Sequence, residues 1–253
     1  MNIKVKNLQS RTTEVWDNYY TSIENGPVGN LYPNENLVRI VSTIRNGINL
    51  NNKEYFNLQG KENTNRVNFK GNALELGFGH VSNLIMMKEK GFTPYGLEVS
   101  RESVKRGKKR LKILNIKNIS LNTWVPNKIP FPKNYFSFIY GLQCIYYCLD
   151  FKGILNEIFR VLKPQGYFYF SFFSNKHHYF KYINKIKIGK LFDIVEWSSN
   201  HPSIKIRNSL LIKVKNRESL NKLFYKASEK RIFTEETDFS PIFNSWWHIY
   251  GKK

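Results

Sequence analysis

The stretch Leu74-Glu75-Leu76-Gly77-Phe78-Gly79-His80-Val81 runs from a short apolar strand into a glycine turn at the head of a helix. Glycines there let the backbone approach a ligand closely and adopt angles that side chains resist. Such a turn suits a dinucleotide or another adenosine-bearing ligand. Ser82 stands where the dinucleotide pattern wants a third glycine. Glu75, two residues before the first glycine, sets a negative charge that would repel a pyrophosphate and attract an ammonium. Glu98 ends the next strand, 21 residues past Gly77. A carboxylate there can accept both hydroxyls of a ribose. Val99 follows and can pack on the base.

These residues need a frame, and the chain alternates strand and helix from Asn72 onward. Ala73–Leu76, Tyr95–Val99, Asn118–Thr123, Tyr135–Tyr140 and Tyr167–Phe173 read as strands. Ser82–Lys90 reads as a helix stopped by Gly91, and Ser100 caps a basic helix running to about Leu114. Asp150 caps an amphipathic helix with Phe151, Ile154, Leu155, Ile158, Phe159 and Leu162 on one face. The alternation predicts an α/β fold, a parallel sheet with helices on both faces. Residues 1–70 are polar and broken by Gly26-Pro27, Pro33 and Gly47; two helices, near Thr13–Ile23 and Glu35–Ile44, would form an N-terminal helical cap. After Asn175, Ile204–Arg207 and Leu210–Val214 suggest an inserted hairpin and Glu218–Tyr225 a helix. Arg231–Thr234 and Trp246–Tyr250 read as closing strands. The expected organisation is one domain: a cap over 1–70, a ligand-binding core over 71–175, and a substrate-side insertion with closing strands over 176–253.

Four motifs in order resemble the class I S-adenosylmethionine-dependent methyltransferases. They are the glycine turn, then Gly96-Leu97-Glu98-Val99-Ser100, then Ile129-Pro130-Phe131-Pro132-Lys133-Asn134-Tyr135-Phe136. Last comes Glu157-Ile158-Phe159-Arg160-Val161-Leu162-Lys163-Pro164-Gln165-Gly166. The resemblance covers about residues 70–175. It implies a Rossmann-like, mostly parallel seven-stranded sheet whose last strand is antiparallel, and S-adenosyl-L-methionine bound at the carboxyl ends of strands one, two and four. The closing run Trp246–Lys253 resembles the last strand of these enzymes. The Arg207-Asn208 hairpin and Tyr32-Pro33-Asn34-Glu35 resemble, more loosely, methyltransferases of bacterial surface-glycan clusters. The chain departs from the pattern at Val81 (often glycine), Gln165 (first of a glycine pair) and Ser137 (usually an acid). It also lacks an acid near Thr123–Val125 to meet the adenine amine.

On that resemblance the expected cofactor contacts are Glu75, Gly77, Phe78, Gly79, Glu98 and Val99. Backbone groups at Thr123 and Trp124 would serve the adenine, and Gln143 would face the methionine end. Trp16, Tyr19 and Tyr20 form either a lid, with Tyr20 on the cofactor, or the apolar face of a helix. Methyl transfer to oxygen also needs a proton acceptor, and histidine is the usual one. His177 and His178 follow the fifth strand at its carboxyl edge and are the candidates; the plain alternative is an exposed polar pair. Cys144 and Cys148 lack a second ligand pair, so no metal site is expected.

The composition bounds the partners. With 253 residues, 41% hydrophobic and 15% aromatic, the chain can build a sizeable core. Two cysteines in apolar context fit a reducing, cytoplasmic compartment. No signal peptide or membrane-spanning run is evident. The formal charge is +21, concentrated in residues 101–117 (eight Lys/Arg, one acid) and 176–231 (fourteen Lys/Arg, four acids). That charge is either an attractor for an anionic partner or a solvated face. The leading expectation is a methyltransferase acting on a hydroxyl or similar group of a small molecule or glycan, the acceptor being anionic if the charge is functional. A nucleic-acid methyltransferase is the second reading, although Gly141-Leu142-Gln143-Cys144 replaces the Asn/Asp-Pro-Pro-aromatic motif of base-amine enzymes. A non-catalytic binding subunit is the third, and the intact Glu75, Gly77, Gly79 and Glu98 argue against it.

Overall fold

A computed structural model describes residues 3–22, 32–46, 68–126, 128–202, 207–239 and 242–253. Its helices are α1 (Ile3–Ser22), α2 (Glu35–Arg45), α3 (Ser82–Glu89), α4 (Arg101–Ile113), α5 (Phe151–Val161) and α6 (Arg217–Leu223). Its strands are β1 (Gly71–Leu76), β2 (Phe92–Glu98), β3 (Ser120–Thr123), β4 (Phe136–Gly141), β5 (Leu162–Phe173), β6 (Ile183–Lys187), β7 (Phe192–Trp197), β8 (Leu210–Val214), β9 (Glu229–Phe239) and β10 (Ile242–Lys252). Seven strands form one sheet in the order β3-β2-β1-β4-β5-β10-β9. The first five are parallel to one another, and β10 runs antiparallel between β5 and β9. The expected Rossmann-like sheet with its antiparallel last strand is therefore present.

Period-two alternation, broken in β4 by an irregularity between Phe136 and Phe138, sorts the sheet's side chains onto two faces. Leu74, Leu76, Phe136, Ile139, Phe168, Phe170 and Phe172 pack with α5 and α6. Ala73, Phe138, Tyr140 and Tyr169 pack instead with α2 and with Met86 and Met87 of α3. The expected caps are formed. Ser100 Oγ accepts from Ser103 N at 3.1 Å, and Asp150 Oδ1 from Gly153 N at 3.2 Å. Glu157 and Arg160, three apart on α5, grip the loop before β4. Glu157 accepts from Ile129 N, while Arg160 donates to the carbonyls of Ile129 and Phe131. Two of the family-like motifs are thus the halves of one structural clamp.

The structure changes three expectations. The first helix begins at Ile3, well before Thr13, and β5 begins at Leu162, before the expected Tyr167. The first arm of the expected hairpin, Ile204–Arg207, lies almost wholly outside the described residues, and its second arm, β8, has another partner. Strand β8 pairs with β7, and β7 with β6, giving a separate three-stranded antiparallel sheet. Residues 203–206 lie outside the described residues, as do Ile23, Gly26, Pro27 and Gly47. Val195, Trp197, Leu210, Leu211 and Ile212 join this small sheet to the main core. No described helix is long and apolar enough to cross a membrane.

Candidate functional site

A cleft of about 630 Å³ opens at the carboxyl ends of β1, β2 and β4, within the roughly 300–1,000 Å³ of small-molecule sites. Its floor is the glycine turn, with Glu75, Gly77, Phe78, Gly79 and His80 on the wall. Both turn glycines have left-handed backbones, φ +65° at Gly77 and +47° at Gly79. A Cβ on Gly77 would sit 2.4 Å from Cys144 Cβ, and one on Gly79 would sit 2.6 Å from Tyr20 Oη. Side chains are therefore excluded at both positions by conformation and by space.

Two buried carboxylates flank the turn. Glu75 ends β1, 1% exposed, and accepts from Asn83 Nδ2 at 2.7 Å and Tyr140 Oη at 3.3 Å. Burial pushes its pKa well above the ordinary carboxylate value, against those two hydrogen bonds. Glu98 ends β2, 5% exposed, and its pKa is also raised by burial. Its Oε2 accepts from Gly79 N at 2.9 Å; its Oε1 accepts from Val99 N at 2.7 Å and Ser100 N at 3.3 Å. A carboxylate offers about four acceptor positions. One remains on Oε2, and the long Ser100 contact is the natural one to yield to a second donor. Two desolvated carboxylates facing one cleft are suited to a polyol and a cation.

The opposite wall comes from α1 and from the segment after β4. Trp16, Tyr19 and Tyr20 all line the cleft from one face of α1. Trp16 packs edge-on against Tyr147 at 5.1 Å between ring centroids. Asp17 Oδ1 accepts from Ser100 Oγ at 2.7 Å, which pins α1 to the start of α4. Gln9 donates to the Tyr147 carbonyl at 3.1 Å and accepts from Leu149 N at 2.8 Å. Gln143 lines the cleft with φ +54°, its N–H held by Ser171 Oγ at 2.9 Å. A non-glycine residue held in that region costs about 1–3 kcal/mol and is commonly found where a ligand is handled. Val99 and Trp124 line the wall. Burial raises the thiol of Cys144 well above its usual value, which leaves it neutral beside the turn. Among the described residues no group of His, Cys, Asp and Glu is arranged to hold a metal.

Three of the expected site residues stand elsewhere. Thr123 is exposed on the edge strand β3, and its neighbour Trp124 takes the cleft position. His177 and His178 do not line the cleft. His177 is buried, stacks edge-on against Phe173 and Trp246, and caps the turn at Tyr179 through Nδ1. Burial lowers its pKa to about 3. His178 Nδ1 meets the Phe243 carbonyl at 3.0 Å. The chain leaves β5 into a buried aromatic joint with the insertion sheet, so these imidazoles serve packing. Residues that sequence reasoning did not single out include Asn83, Asp17, Tyr140 and His80. Asn83 lies eight positions after Glu75 on the next helix, and that spacing is the signal that would have found it.

With this geometry the comparisons agree. Residues 74–170 match the methyltransferase domain family, and the fold is that of class I S-adenosylmethionine-dependent methyltransferases. An S-adenosylmethionine-dependent methyltransferase structure from Mesorhizobium loti covers 73% of the chain and 92% of its own, at TM-score 0.54 and 16% identity. A solved structure from work on conversion of a disulfide bond into a thioacetal group during echinomycin biosynthesis covers 95% and 92%, at TM-score 0.59 and 11% identity. Demethylmenaquinone methyltransferase of Listeria welshimeri is 32% identical over 108 residues, 40% of this chain and 44% of that protein. The Geobacillus stearothermophilus protein of that name is 32% identical over 75 residues, 28% and 31%. The chain thus spans less than half the length of these curated relatives. S-Adenosylmethionine is the cofactor this family implies. The side-chain-free glycine cradle and the two buried carboxylates are of a kind to suit its hydroxyls and its cationic end.

Proposed function

We propose that the protein transfers the methyl group of S-adenosylmethionine to a hydroxyl or similar nucleophile on a small molecule or glycan. The observation that carries this is the pair Glu75 and Glu98, both buried, facing one cleft across a glycine turn that admits no side chain. When bound, S-adenosylmethionine supplies an electrophilic methyl group on a sulfonium. The chain supplies position and dryness. Glu98 and the turn amides would fix the ribose, Glu75 held by Asn83 and Tyr140 would fix the ammonium, and Phe78 and Trp124 add apolar wall. Trp16, Tyr19 and Tyr20 narrow the cleft and exclude water, which favours in-line attack by a positioned acceptor.

Proton removal from the acceptor falls to His80 in this reading. It is the only histidine among the described residues of the cleft wall. Burial, with Arg110 and Arg106 nearby, lowers its pKa below the usual imidazole value, so it is neutral and able to accept a proton at pH 7. The name of the curated relatives supports a small-molecule acceptor. The test is transfer of radiolabelled methyl from S-adenosylmethionine into a fractionated cell extract. Label in a ribonuclease-resistant small-molecule or glycan fraction is expected, and less of it with His80→Ala. Label confined to RNA would overturn the acceptor class.

A further inference from the structure

Across the segment 144–150 from the cleft lies a second hollow of about 450 Å³. Cys144, Tyr147 and Cys148 face the cleft, while Leu149, Asp150 and Phe151 face this groove. Leu149, Phe151, Leu191, Phe192 and Ile194 give it an apolar floor, and Lys152, Lys187 and Lys190 stand on its rim. Its one carboxylate, Asp150, is engaged in capping α5. Beside it the outer strand β6 and the turn after it carry Lys185, Ile186, Lys187 and Ile188. Ile186 is 48% exposed and Ile188 69%. None of the ion pairs among the described residues involves Lys152, Lys185, Lys187 or Lys190.

Edge strands are commonly kept from pairing with other chains by charged side chains, lysine above all. Two exposed isoleucines set among unpaired lysines, next to an apolar groove, are a different pattern: apolar groups for an acyl layer and cations for phosphates. The platform is also held in place. Gly189 N donates to Asp193 Oδ1 at 3.0 Å, Asp193 pairs with Lys215 at 3.7 Å, and Lys215 N donates to the Leu191 carbonyl at 3.2 Å. Asp193, the nearby acid, is thereby neutralised, which leaves the turn cationic.

We infer that the β6–β7 turn and its lysine-rimmed groove dock the protein on an anionic phospholipid surface, with Ile186 and Ile188 entering the headgroup layer. Charge complementarity argues for this occupant, since each lysine near an anionic leaflet adds to the attraction.

The test is co-sedimentation of the full chain with phosphatidylcholine vesicles, with and without one third phosphatidylglycerol. Binding to the anionic vesicles only is expected, and it should weaken with salt. The triple variant Lys185→Glu, Lys187→Glu, Lys190→Glu should lose on the order of a hundredfold in affinity. The pair Ile186→Ser, Ile188→Ser should lose about tenfold, as partial burial of two side chains requires. Both variants should keep the wild-type affinity for S-adenosylmethionine, a readout of folding that does not depend on any methyl acceptor. Absence of binding to anionic vesicles would overturn the inference. So would binding indifferent to the two isoleucines, or the same lysine dependence shown for an RNA oligonucleotide and not for vesicles.

Discussion

On one wall of the cleft, Glu98 holds the backbone of Gly79, 19 positions away, and Glu75 holds Asn83, eight positions away. On the other wall, Gln9 reaches Tyr147 and Leu149 across 138 and 140 positions, and Thr12 reaches Leu210 across 198. Arg11 also reaches Glu196 in the insertion sheet. The first wall is assembled mainly within one strand–turn–helix–strand unit, whose parallel pairing aligns both carboxylates with the turn, and Tyr140 of β4 adds one longer-range bond to Glu75. The second is assembled only when helix, core and insertion have all met. A local unit can be carried unchanged from one protein to another while the distant wall is rebuilt for a new acceptor. The family match, residues 74–170, spans that local unit.

The two walls can be separated by substitution. The largest effect is expected from Gly77→Val, which forces a β-branched side chain into a left-handed backbone against Cys144. Cofactor affinity should fall more than about a hundredfold by calorimetry, with circular dichroism showing the sheet intact. Gly79→Ala joins the walls, because its Cβ would lie 2.6 Å from Tyr20 Oη. Part of its loss should return in Gly79→Ala with Tyr20→Phe; no return would mean the lid does not close on the turn.

Glu98→Ala should cost about 1–3 kcal/mol of cofactor binding, because hydroxyl donors lose a buried acceptor. Glu98→Gln should keep part of it. Unchanged affinity in folded Glu98→Ala would place the ribose elsewhere. Asp17→Ala removes the bond from α1 to Ser100. Acceptor KM should rise several-fold while cofactor affinity moves less, since the local wall is untouched; equal changes in both would show that the walls are one unit.

The smallest effect concerns protons. Burial raises the pKa of Glu75, and a cationic ligand favours its ionised form. Cofactor binding should therefore release protons at pH values around and below that raised pKa, and affinity should rise with pH through it and then level off. Calorimetry in two buffers of different ionisation enthalpy reads this. Proton uptake on binding would reverse the assignment.

The local wall could be read from the chain for the same reason that it is local. Short apolar runs, Ser100 and Asp150 as caps, and the spacing from Gly77 to Glu98 are all contained in about thirty residues or fewer per feature. The distant wall could not. Strand β6 alternates lysine with isoleucine and leaves most of its residues exposed, so it reads as a solvated basic face. Strand β7 shows its burial only at Val195 and Trp197. The early turns of α1 are too polar to announce a helix from Ile3. His177 resembled a substrate-side base because its burial depends on Trp246, a strand partner of Phe173 far along the chain.

The most direct measurement is calorimetric titration of the purified chain with S-adenosylmethionine, S-adenosylhomocysteine and NAD. One site for each adenosyl ligand is predicted, weakened by Glu98→Ala, with no heat from NAD. Preferential binding of NAD, or adenosyl binding indifferent to both Glu98→Ala and Gly77→Val, would contradict the assignment of the cleft.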